Sequence, residues 1–233
     1  MRLGEPASSA ADLLPAQTRP DGVNATTFVH SYLKALILDL VLPPDTLITE
    51  MDVAKATGLS RTPIREALLR LHEERLVEIF PRRGALVPKI TARQVRELYE
   101  LRLLLETHAA ESICQQRLET AGRLLELCDR QQRMDAAGAS VPDLIRVDRE
   151  FHAGLMAAAG NSVITAMYTS LGDHFQRTGV LSFSLDRGRS ATAVADHREI
   201  ALALQRFDLP AALAGLERHL RHRPETFLQM VPD

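Results

Sequence analysis

Two groups of residues in this sequence have the types and spacing to do chemistry. Arg61, Arg65 and Arg70, with Thr62, follow Gly58-Leu59-Ser60. On a helix begun by that turn, Ile64, Ala67, Leu68 and Leu71 recur at helical spacing and face inward, leaving Arg61, Thr62 and Arg65 outward. A helix N-terminus carrying guanidinium and hydroxyl groups can bind phosphate oxygens or guanine edges in a DNA groove. The second group begins with Asp148 and His152, at i and i+4. Their side chains lie ~40° apart on one helix face, so a carboxylate and an imidazole there can share one cation. His197 and His219 lie on later helices, and one metal ion would satisfy all four buried polar groups. On spacing alone, an Asp-x-x-x-His pair on a helix is more often a salt-bridged or hydrogen-bonded pair than a metal site.

Positioning the arginines requires a short, well-defined head. Gly58 can take the positive φ of a tight turn between two helices, Ser60 can cap the next helix, and Pro63 stays within its first turn. Val77-Glu78-Ile79-Phe80 and Ala85-Leu86-Val87 read as two strands around Pro81-Arg82-Arg83-Gly84, a basic turn. An earlier helix is marked by the stripe Phe28, Tyr32, Leu33, Leu36, Ile37 and Leu40, which ends before Pro43-Pro44. Residues 1–23 show no periodicity and read as a mobile tail. An amphipathic helix followed by an ordinary hairpin would show the same arginine spacing. The ordered succession of helix, Gly turn, capped basic helix and basic hairpin is much rarer and points to DNA.

Positioning the Asp/His group requires a bundle. Strand character ends near Pro88–Thr91, where Thr91 can cap a long helix carrying Val95, Leu98, Leu101, Arg102, Leu105 and Ala109 on one stripe. Further helices fit Leu118 to Gly138, Pro142 to Ala159, Val163 to Phe183, Ser190 to Phe207 and Leu209 to Leu228. The expectation is therefore a mainly α chain: a tail (1–23), a winged head (24–90) and a six-helix bundle (91–230), with no internal repeat.

Residues 26 to 90 resemble the winged helix-turn-helix of the GntR regulators, most specifically in the run from Ser60 to Leu71 with Arg82-Arg83-Gly84. The resemblance implies operator contacts from Arg61, Thr62, Arg65, Arg70, Arg83 and Gly84. Two departures stand out: Met51 occupies the place of a frequent arginine, and Asp45 that of a usual glycine. Residues 91–229 look like the helical FCD domain of the fatty-acid-regulator-type subgroup. They do so through Val147-Asp148-Arg149-Glu150-Phe151-His152, Ala158-Ala159-Gly160-Asn161, and His197 and His219. That domain's metal-binding version implies a divalent transition ion held by Asp148, His152, His197 and His219, with zinc first and nickel or manganese as alternatives.

Three neutral imidazoles and one carboxylate would leave about one net positive charge on such an ion, which a small organic carboxylate can complement. Arg102 is the expected second anion anchor, with an ion pair to a buried acid as its alternative role. Asn161 is either an effector donor or a helix cap. His222 could replace His219 and His174 could extend the site, whereas His30, His72 and His108 read as structural or surface residues.

Composition limits the function classes. A chain of 233 residues, 45% hydrophobic and 25% charged, supports two globular domains, and no apolar run approaches the ~20 residues of a membrane span. The N-terminus lacks a signal-peptide layout, so a cytoplasmic protein is expected. Cys114 and Cys128, far apart within helical patterns, read as free thiols. Net charge is −2, yet residues 61–89 hold seven basic and four acidic groups. So small a basic footprint needs dimerisation for useful affinity, which implies a homodimer on a palindromic double-stranded operator. A ligand-responsive regulator sensing an organic acid is the leading expectation. The alternatives are a metal-responsive repressor and a metal-dependent enzyme acting on carboxylates. No general base, nucleophile elbow or phosphate loop supports the enzyme.

Overall fold

The computed structural model describes residues 8–186 and 188–228, with side chains described up to residue 220. The chain divides into two compact units at Ile90/Thr91.

The first unit is a helical head with a small sheet. Helix α1 (Ala25–Leu38) starts where the Asn24 side chain accepts from the Thr27 N–H, and it buries Phe28, Val29, Tyr32, Leu33 and Ile37. Helices α2 (Glu50–Thr57) and α3 (Arg61–Glu73) follow, separated by Gly58 in the left-handed region at φ +70°. Ile64, Ala67, Leu68 and Leu71 are the buried face of α3 and pack with Leu33, Ile37 and Ile48 in one core. Ser60 stands at the N-cap of α3, but its side chain makes no capping hydrogen bond, contrary to expectation.

The sheet has the order β1-β2-β4-β3, formed by Ser8–Ser9, Thr46–Ile48, Gly84–Leu86 and Glu78–Phe80 respectively. The wing hairpin β3-β4 was expected. Strand β2, antiparallel to β4, was not. Its three residues between Asp45 and Thr49 are too few to show alternation. Asp45 has φ +65°, a conformation aspartate tolerates better than most residues, which explains how it stands in for glycine.

The mobile tail expected over residues 1–23 does not describe residues 8–23. Ser8–Ser9 pair in parallel with β2, Ala10 is fully buried, and Gln17 N–H donates to Ala56 O at 3.0 Å. The Tyr32 hydroxyl donates to Pro15 O at 2.6 Å. Backbone pairing needs no hydrophobic periodicity, so the segment left no signal of its own.

The second unit is all helical: α4 (Ala92–Gln116), α5 (Ala121–Ala136), α6 (Val141–Ala158), α7 (Ser162–Ser170), α8 (Gly172–Leu185), α9 (Arg189–Gln205) and α10 (Leu209–Leu228). Thr91 and Gln94 form a reciprocal capping box that starts α4. The six-helix expectation becomes seven among the described residues, because the stretch 163–183 breaks at Leu171. There a β-carbon on Gly172 would collide with the Arg149 guanidinium. Helix α10 packs on α4 and α9, α5 on α9 and α6, and α6 on α4 and α8. Phe151, Leu155, Ile200, Leu204 and Leu216 are fully or almost fully buried among them. This packing brings α4, α6, α9 and α10 around a common centre.

Candidate metal centre and nucleic-acid interface

Four residues meet inside the helical unit. Asp148 and His152 come from α6, His197 from α9 and His219 from α10, each at most 3% exposed. Their ligand atoms all lie within 4.8 Å of one another. His197 Nε2 stands 3.1 Å from His152 Nε2 and 3.0 Å from His219 Nε2. The Asp148 carboxylate lies 3.7 Å from His152 Nε2 and 3.6 Å from His197 Nε2. Phe151 stacks on the His197 ring at 4.1 Å between centroids.

The far sides of two rings decide what the near sides can do. His152 Nδ1 is 2.8 Å from Glu106 Oε2, and His219 Nδ1 is 3.3 Å from Asp196 Oδ2. A carboxylate only accepts, so both Nδ1 atoms carry the proton and both Nε2 atoms of the neutral rings present lone pairs. His197 Nε2 can offer one hydrogen at most, yet it faces both. One lone pair therefore confronts another unless a cation lies among them. Metal–nitrogen bonds of ~2.1 Å place neighbouring nitrogens ~3.0–3.4 Å apart, depending on the angle. The donor set and its spacing fit a divalent transition ion.

Burial favours neutral imidazole at His152. Burial, then the nearby Arg102 charge, pushes His152 below its ordinary value, which outweighs the opposing pull of Glu106. Burial opposes ionisation of Glu106, yet the Arg102 charge and the hydrogen bonds from His152 and Arg102 hold its carboxyl below the usual range. Burial raises the Tyr168 hydroxyl well above its usual range, so it stays protonated and donates to Glu106 Oε1 at 3.3 Å.

Glu106 was not foreseen. It is fully buried and takes Arg102 Nε at 2.9 Å on the oxygen that Tyr168 also reaches. The expected stripe on α4 correctly held Val95, Arg102 and Ala109 but left out the buried Tyr99 and Glu106, whereas its Leu98, Leu101 and Leu105 are only half-buried. The available signal was the i, i+4 Arg/Glu pair within that stripe. Arg102 is 4% exposed and makes its alternative ion pair, while its Nη2 has no hydrogen-bond partner among the described residues. Asn161 takes its alternative role too. Its side-chain oxygen accepts from Val163 and Ile164 N–H groups at an exposed end of α7. His174 is half-buried and outside the cluster, and the His222 side chain lies outside the described residues.

On the head, Arg61, Thr62, Arg65 and Arg70 are all exposed on α3. Arg61 and Arg65 share a cleft of about 590 Å³ with Arg82, Arg83 and Gly84 of the wing. Arg70 does not line it. Gly84 adopts φ +125°, and a β-carbon there would collide with the Ile48 carbonyl oxygen, so glycine is what lets β4 approach β2. Glu50 at the start of α2 accepts from Arg65 Nε at 2.8 Å, a contact the sequence reading missed. Met51 is 68% exposed beside it. Of the other histidines, His30 pairs with Glu74 at 2.8 Å and His72 Nδ1 lies 3.0 Å from Val77 O.

Comparison with known proteins agrees with this division. The family described as bacterial regulatory proteins, gntR family, matches residues 25–87, and the FCD domain matches residues 97–222. The chain is 30% identical over 212 residues to an HTH-type transcriptional regulator in an unstable DNA locus of Streptomyces ambofaciens. That alignment covers 85% of this chain and 88% of the relative. It is 27% identical to the HTH-type transcriptional repressor RspR of Escherichia coli K12, covering 87% and 88%. Among solved structures, a GntR transcriptional regulator from Rhodococcus sp. RHA1 aligns with TM-score 0.72 at 23% identity, covering 89% of this chain and 99% of that one. E. coli McbR/YncC aligns with TM-score 0.70 at 22% identity, over 89% and 99%. No described helix is long and apolar enough to cross a membrane.

Proposed function

Because the chain belongs to the gntR family of DNA-binding transcriptional regulators and carries an FCD domain, we propose that its helical unit senses a small organic carboxylate at a divalent-metal centre. The observation that carries this reading is the convergence of three imidazole Nε2 atoms and one carboxylate, with the charged Arg102 bound to Glu106, which also holds His152. Asp148, His152, His197 and His219 would hold the ion. When bound, the ion supplies a net positive charge of about one, matched to a carboxylate. Arg102 supplies a second, fixed cationic donor through its Nη2, which has no hydrogen-bond partner among the described residues. Burial of the cluster excludes water, which strengthens these charge interactions.

On the head, Arg61, Arg65 and Arg83 read the operator from α3 and the wing, Thr62 and Arg70 add contacts along α3, and Gly84 sets the height of the wing. The protein acts as a homodimer on a two-fold symmetric site, since one small basic footprint gives too little affinity at physiological salt. A metal-only sensor is the second reading, favoured by one observation: Arg102 already has a carboxylate partner in Glu106.

Fluorescence anisotropy with an operator selected from random duplexes tests the proposal. Operator affinity should change when an organic acid is added to zinc-loaded protein, and the response should vanish in His152→Ala. A response to zinc alone with none to any acid selects the second reading.

A further inference from the structure

Resting on the proposed metal reading, we propose that Glu106 is a positioning residue that couples the anion anchor Arg102 to the metal ligand His152. A single carboxylate serves both. Its Oε2 accepts from His152 Nδ1 at 2.8 Å, and its Oε1 accepts from Arg102 Nε at 2.9 Å and from Tyr168 at 3.3 Å. Glu106 has no exposed surface and Arg102 almost none, so water cannot substitute for either partner. Three donors converge on one fixed charge.

The consequence follows from what each oxygen does. The Oε2 contact fixes the His152 tautomer and raises the basicity of its Nε2, the role that outer carboxylates play for ligating imidazoles. Arg102 draws on the same charge through Oε1. An anion reaching Arg102 Nη2 offsets part of the guanidinium charge, leaves more of the carboxylate to His152, and tightens the hold on the ion. By linkage, the ion tightens the hold on the anion to the same degree. The outer contact of His219 is weaker, because Asp196 lies farther away at 3.3 Å and is partly exposed, whereas Glu106 is not. Coupling is therefore concentrated on the Glu106 side.

The test uses the full-length protein and zinc alone, with affinity read by competition against a chromophoric chelator. Glu106→Gln should weaken zinc binding about 10- to 100-fold and shift the d–d bands of the cobalt(II)-substituted protein. Asp196→Asn should have a smaller effect. Arg102→Met should strengthen zinc binding several-fold while Glu106 is present and lose most of that gain in Glu106→Gln. If Glu106→Gln fails to fold with Arg102 left unpaired, the double variant Arg102→Met/Glu106→Gln removes both charges, and its zinc affinity should match the weak value. Wild-type zinc affinity and cobalt spectrum in the Glu106 variants, or an equal Arg102→Met effect in both backgrounds, overturns the coupling alone. A wild-type protein that binds no zinc overturns the metal reading and the coupling with it.

Discussion

Two arginine–glutamate pairs have almost the same geometry and opposite surroundings. On the head, Arg65 Nε meets Glu50 Oε1 at 2.8 Å, with the arginine side chain 69% exposed. In the helical unit, Arg102 Nε meets Glu106 Oε1 at 2.9 Å, with side-chain exposures of 5% and 0%. An exposed pair is screened and can exchange its partner for another anion at little cost. A buried pair cannot be opened without stranding a charge. The same contact is thus a replaceable arrangement where DNA must be read and a fixed one where a site must hold its shape.

The strongest way to break the comparison is to remove the acid from each pair. Glu106→Ala should destabilise the protein by about 3–5 kcal/mol in urea denaturation, because Arg102 is left charged and buried. Glu50→Ala should leave the denaturation midpoint close to wild type. Similar losses in both variants would erase the distinction.

Next in size are the ligands themselves. His152→Ala and His219→Ala should each forfeit metal-linked stabilisation, worth about 2.7 kcal/mol when free zinc is 100 times its Kd. Thermal melts with and without zinc would show it: the wild type should shift upward and the variants should not. Asp148→Asn should shift less than wild type.

The exposed arginines should behave in the opposite sense. Arg61→Ala and Arg65→Ala should leave the melting curve unchanged and lower operator affinity roughly tenfold to a hundredfold. Unchanged anisotropy titrations for both would remove α3 from groove reading.

The smallest effect is on pH dependence. Burial and Arg102 depress His152, so in the folded metal-free protein it resists protonation. Its contribution to stability is complete above the unfolded histidine value of ~6.5 and is lost as pH falls through the lower folded value. Urea midpoints of metal-free protein should therefore decline as pH falls below ~6.5 and level off below the folded value, with a shallower decline in His152→Gln. Parallel profiles would assign the decline to other groups.

Much of the molecule was legible because its signals are local. Gly58, the Ile64–Leu71 periodicity and Gly84 each constrain their own few residues, and they marked the turn, α3 and the wing. The i, i+4 pair Asp148/His152 marked one side of the cluster, and the resemblance to the FCD domain added His197 and His219. What escaped depends on distant partners. Glu106 reads as a solvated charge until α6 brings His152 against it. Strand β2 and the Ser8–Ser9 pairing exist through the backbone of other strands, and three or two residues carry no period.

The central claim is that the buried cluster is a metal centre and not a self-satisfied set of polar groups. Metal analysis combined with native mass spectrometry of full-length protein purified without chelator tests it most directly. One divalent transition ion per chain is predicted, absent from His219→Ala. An ion-free protein whose melting temperature does not respond to zinc, nickel or manganese would contradict it.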